Sequence, residues 1–115
     1  MPRTDVTQML FARIYPLLAN KVEKKGRTRE ELDGVIAWLT GYEPEEIARL
    51  ALSDISYGDF FRRAPAMHPN RTLITGKVCG VRVEEIEDPL LREIRRLDKL
   101  VDELAAGKPL DRIRR

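Results

Sequence analysis

Between Phe60 and Arg82 the chain carries Arg62, Arg63, Arg71, Lys77 and Arg82 and no carboxylate. Clustered guanidinium forks suit a phosphate, a carboxylate or a nucleic-acid backbone. The adjoining Phe60 and Phe61 are of the type that stacks on nucleobases. His68 and Asn70 lie in the same stretch and complete a candidate ligand set of Arg62, Arg63, His68, Asn70, Arg71, Lys77 and Arg82 for an anionic small molecule or RNA. The competing reading places both phenylalanines in the core and pairs the arginines with the acids at 84–88. We favour this second reading, and nucleic acid is not an expected partner.

Other candidates for chemistry are thinner. His68 and Cys79 are each single of their kind. A structural zinc site needs four ligands, mostly Cys and His at short spacing, so no metal set is assigned. A Cys–His nucleophilic pair would require the fold to bring the two together. The plainer reading is a thiol packed as a small hydrophobe and a loop imidazole. Gly76-Lys77-Val78-Cys79-Gly80 lacks the Gly-Lys-Ser/Thr ending of a phosphate-binding loop. Residues 33–52 place Ala37, Gly41, Ile47 and Leu50 at spacings reminiscent of a helix-turn-helix. The would-be recognition helix opens Glu43-Pro44-Glu45-Glu46, however, and carboxylates facing phosphates oppose the electrostatic attraction that carries non-specific DNA affinity. No catalytic residue and no cofactor is assigned.

The elements that would hold these groups are helical. The last helix is the most legible, from its N-cap Asp88 and first-turn Pro89 to a stop at Gly107-Lys108-Pro109. Leu90, Ile94, Leu97, Val101 and Leu104 recur at four-three spacing, with Leu91 and Leu100 widening the stripe. Acids at 84–88 are expected to offset the adjacent Arg92, Arg95 and Arg96, whose charge opposes the helix dipole there. The first helix is expected from Thr7 to Lys25, stopped by Gly26, its stripe Phe11, Ile14, Tyr15, Leu18 and Val22 running through Pro16 as a kink. Thr28-Arg29-Glu30-Glu31 reads as a capping box opening a second helix with Leu32, Val35, Ile36 and Leu39 inward. Trp38 falls to one side, at a rim. Pro44 opens a third helix and Ser56 caps a short fourth that ends at Ala64-Pro65. Residues 71–86 suit strand by propensity, yet Ile74, Val78 and Val81 also fit a helix face with Asn70 as N-cap. We expect helix there, because a lone strand would have no partner elsewhere.

These readings give an all-α fold, a compact orthogonal bundle of about five helices with the last the longest. Residues 1–115 are expected to form a single domain with a frayed basic tail from about 108. The 43% apolar fraction is ordinary for a globular chain, and the 35% charged fraction implies a heavily solvated surface. The net charge of +2 hides alternating blocks: 1–29, 60–82 and 89–115 are basic, 30–59 and 83–88 acidic. Intramolecular pairing is the simplest account of that near-cancellation. One cysteine excludes an internal disulfide framework, and Met1-Pro2-Arg3-Thr4-Asp5 lacks the apolar run of a signal peptide. With no stretch long enough for a membrane span, the expectation is a cytoplasmic protein without membrane partners.

The chain resembles the bacterial domain of unknown function 2200 family. The resemblance rests on Glu23-Lys24-Lys25-Gly26-Arg27-Thr28, Trp38-Leu39-Thr40-Gly41-Tyr42, residues 70–82, the run from Val83 to Leu90, and Leu97-Asp98-Lys99-Leu100. It implies a small, mainly helical fold and no activity. The residues themselves point to a binding or assembly role as a homo-oligomer, most simply a two-fold dimer. Leu91 and Leu100, lying off the main seam, are the candidate interface.

Overall fold

In the computed structural model, which describes residues 5–78 and 80–115, the fold is all-α. Six α-helices appear among the described residues: α1 (Phe11–Glu23), α2 (Arg29–Thr40), α3 (Pro44–Leu50), α4 (Tyr57–Arg62), α5 (Pro89–Ala105) and α6 (Leu110–Ile113). A two-stranded hairpin, β1 (Lys77–Val78) and β2 (Val81–Arg82), precedes α5. The Cα radius of gyration, 13.3 Å, is what a globular chain of this length adopts.

The caps follow the sequence. Thr28 accepts from the Glu31 amide while the Glu31 carboxylate accepts from the Thr28 amide, which closes the capping box of α2. These bonds hold the Glu31 carboxyl below its ordinary range, the Arg27 side chain contributing most. Asp88 accepts from the amides of Leu90 and Leu91 and starts α5 behind Pro89. Gly41 ends α2 at φ +82°. A Cβ there would also sit 2.8 Å from the Ala66 backbone, so only glycine lets the chain after α4 pass so close.

One cluster of apolar side chains fills the interior. Ile94, Leu97, Leu100, Val101 and Leu104 of α5 are all fully buried. Around them lie Phe11, Ile14, Leu18 and Val22 of α1, Leu32, Val35, Ile36 and Leu39 of α2, and Ile47 of α3. An aromatic group knits α1 to α4: the rings of Phe11 and Phe60 stack with centroids 4.0 Å apart, and Phe60 meets Phe61 edge-on at 5.4 Å.

Five expectations are corrected. The first helix starts at Phe11, because Leu10 is extended and bridges Ser56; Val6–Gln8 is a separate 3-10 turn capped by Asp5. A single helix does run through Pro16. Residues 71–86 are not helical. Pro69–Leu73 is a 3-10 turn capped by His68 rather than Asn70, and it is followed by the hairpin. The strand's partner lies three residues downstream, through Gly80 at φ +80°, and α5 covers the hairpin's inner side. Val81, placed on the imagined helix face, is 49% exposed. The tail is ordered: α6 docks on α2 and α5 and buries Ile113 completely. Leu100 is fully buried, so it has no surface to offer a partner, while Leu91 is half-buried. Finally, the basic start of α5 is met elsewhere than by the preceding acids. Arg92 Nε donates to the Ile86 carbonyl at 2.7 Å, Arg95 pairs with Asp98, and Arg96 pairs with Glu93.

Leu97→Ala is expected to cost about 2–5 kcal/mol, as truncation of a buried leucine does. Ile113→Ala should fall in or near that range, since the α6 anchor is equally buried. Denaturant melts check both. A loss below about 1 kcal/mol for Leu97→Ala contradicts the seam, and the same result for Ile113→Ala contradicts the docked tail.

Candidate functional site

The basic segment does not converge. Arg62 pairs with Asp59 one turn back on α4, at 2.9 Å. Arg71 Nε pairs with Glu93 on α5 at 2.7 Å, and its Nη1 donates to the His68 carbonyl. Arg82 lies 3.7 Å from Glu84. Lys77 is exposed on β1, where its carbonyl accepts from Lys99 Nζ. Phe60 and Phe61 are core residues, so neither is a stacking platform for bases. Of the arginines in the set, only Arg63 has no ion pair or hydrogen bond to its side chain among the described residues.

His68 and Asn70 do structural work in the turn before the hairpin. The His68 ring stacks on Trp38, centroids 4.3 Å apart, and its Nδ1 accepts from the Asn70 amide at 3.0 Å. Asn70 Nδ2 donates to the Arg115 carbonyl at 2.9 Å and so ties the end of the described chain to this turn. Trp38 is thus at a rim, as its place beside the α2 stripe suggests, with its face covered. Cys79 lies outside the described residues, and with it both the Cys–His pair and the packed-thiol reading.

Among the described residues, one half-buried carboxylate on α5 is a candidate for acid–base chemistry. Burial pushes the Asp98 carboxyl above its ordinary range, Arg95 opposing this through its hydrogen bond and charge. Nearby, the Tyr57 hydroxyl is fully buried without a hydrogen-bond partner among the described residues, and burial raises its pKa. Perturbed groups mark functional sites only when a cleft reaches them. Asp98 and Tyr57 line none of the three clefts described below, so they belong to the packing of α4 against α5. Among the described residues no group of three or more His, Cys, Asp or Glu is placed to hold a metal ion.

Among the described residues, three neighbouring clefts lie on α3 and its surroundings. One of about 580 Å³ is lined by Gly41, Tyr42, Glu43, Glu45, Glu46, Arg63 and Pro65. A second, of about 430 Å³, lies between the α3–α4 loop, Arg49, Gln8 and Arg63. A third, of about 280 Å³, is a mainly apolar groove formed by Tyr15, Pro16, Arg29, Ala48, Ala51 and Leu52. Of the sequence-derived ligand set, Arg63 alone lines any of these three, and it borders two. The rest come from residues with no motif between them. No spacing or composition in the sequence marks them as neighbours.

Dispersed and internally paired cations leave little for a polyanion to gain. Binding to RNA or DNA should be weak and vanish near physiological salt, where the Debye length is about 8 Å. Sub-micromolar affinity at that salt, lost on combined replacement of Arg62 and Arg71 by alanine, would overturn this; a filter-binding titration decides.

Comparison with known proteins agrees with this architecture. A crystal structure of the uncharacterized protein SP1917 superposes with a TM-score of 0.90 at 53% identity, covering 94% of this chain and 88% of that one. No curated protein matches. Among the described residues no helix is long and apolar enough to cross a membrane. The family model described as an uncharacterized protein conserved in bacteria (DUF2200) matches residues 5–115, and the chain belongs to that family.

Proposed function

We propose that the protein is a cytoplasmic, single-domain assembly module that works as a two-fold homodimer through its α1–α3 face. The observation carrying this is Leu52, 91% exposed at the edge of the apolar groove it helps to form. Leu17 on α1, 61% exposed, adds a second projecting side chain on the neighbouring helix. Large apolar side chains left in water beside an apolar groove mark interaction surfaces. A projection and a recess on one face suit a partner with the same face, which is the requirement of an isologous pair.

Charge supports the same occupant. Arg13 lies one turn before Leu17, and Glu45 lies one turn before Ala48. Both are exposed, and neither has an ion-pair partner among the described residues. When α1 of one copy lies on α3 of the other, these opposite charges meet twice across the axis.

The wild-type protein should sediment as a dimer at micromolar concentration. Leu17→Glu with Leu52→Glu should give a monomer of unchanged helical content, because both side chains are already exposed. Sedimentation and circular dichroism on the same samples test this. A wild type that stays monomeric at millimolar concentration, or a double variant that stays dimeric, contradicts the proposal.

A further inference from the structure

The 430 Å³ cleft has a charge arrangement that the dimer face does not use. It is built where three segments meet. Gln8 comes from the first 3-10 turn, Arg49 and Leu50 from the end of α3, and Asp59 and Arg63 from α4 and its end; the α3–α4 loop closes it with Ser53, Asp54, Ile55 and Ser56. Two of its four charges are satisfied: Arg49 pairs with Glu46, and Asp59 with Arg62. The other two are not. Among the described residues, Asp54 and Arg63 have no ion pair and no side-chain hydrogen bond, and they do not pair with each other although they line the same recess. The Gln8 side chain is also without a partner among the described residues. Ser56 Oγ accepts from the Asp59 amide at 3.1 Å and keeps its own hydrogen for a further acceptor. Leu50 and Ile55 supply buried apolar wall.

These groups select by charge. A simple anion drawn to Arg63 meets the carboxylates of Asp54 and Asp59. A simple cation drawn to Asp54 meets two guanidiniums. A small molecule bearing both charges satisfies each free group and offends neither. We infer that this cleft binds a free α-amino acid, its carboxylate on Arg63 and the Ser56 hydroxyl, its ammonium on Asp54, and an aliphatic side chain against Leu50 and Ile55. The volume lies within the range of small-ligand sites. Arg63 is suited to the role because a planar fork grips a carboxylate with two parallel bonds.

The test is a set of two-dimensional amide NMR titrations of the intact protein with each of the free amino acids, and separately with acetate and methylammonium. At least one aliphatic amino acid should give saturable shifts at Ser53, Asp54, Ile55 and Arg63, while neither acetate nor methylammonium does so at equal concentration. Arg63→Ala and Asp54→Ala should each weaken that affinity by about tenfold or more, with Arg63→Lys retaining part of it. The spectra themselves report whether each variant is folded. No saturable response to any amino acid at millimolar concentration overturns the inference. So does an equal response to acetate alone, which would make the cleft an anion subsite. None of these residues lines the α1–α3 groove, so this result and the sedimentation result stand or fall separately.

Discussion

The apolar face of α5 packs against α1, α2, α4, α6 and β1, and each of these elements is held in place by it. Burying side chains of this size is worth about 1.5–3 kcal/mol each. Five of them lie on this one helix, fully enclosed. The other helices are short, and α3, α4 and α6 have seven residues or fewer. Helices of that length do not persist alone in water. For α4 and α6 that support is the surface α5 provides directly, and α3 packs on α2, which α5 holds.

The polar flank of α5 serves the same end and explains why so basic a chain offers no broad anion site. Glu93 takes Arg71 from the turn before the hairpin and Arg96 from α5 itself. Glu103 takes Arg115 and Lys108 from the tail, while Asp102 takes Lys21 from α1. Arg27 adds a bond from the α1–α2 turn to the Lys108 carbonyl. Surface ion pairs are each worth little, about 0–1 kcal/mol. Their effect here is positional, since those from Lys21, Arg71, Lys108 and Arg115 fix peripheral segments to the central helix. The alternating charge blocks of the sequence are therefore mostly consumed inside the molecule. Arg63 and Asp54 stand out because they are left over within one cleft.

What could be read from the residues was whatever is encoded locally. The Thr28–Glu31 box, the Asp88-Pro89 start and the four-three stripe of α5 depend on neighbours within a turn or two. The inward role of Phe60 and Phe61 was legible as one of two readings. What could not be read depends on contacts distant in sequence. The hairpin at 77–82 was obscured because its apolar residues also fit a helical period, and because its strands are too short to advertise a pair. The tail looked frayed because four residues with one isoleucine carry no periodic signal; only the recess between α2 and α5 makes Ile113 an anchor. The clefts were invisible for the same reason. Gln8, Asp54 and Arg63 share no spacing, and Leu52 is distinguished only by what the fold leaves uncovered.

The dependence of the surrounding elements on α5 is measured most directly by native-state hydrogen exchange. Amides of Leu97, Leu100, Val101 and Leu104 should exchange only through global unfolding, with a free energy equal to that of the denaturant melt, while hairpin amides such as those of Lys77 and Arg82 exchange through smaller openings. Exchange of the α5 amides through a sub-global opening, at free energies no higher than those of the hairpin, would contradict the account.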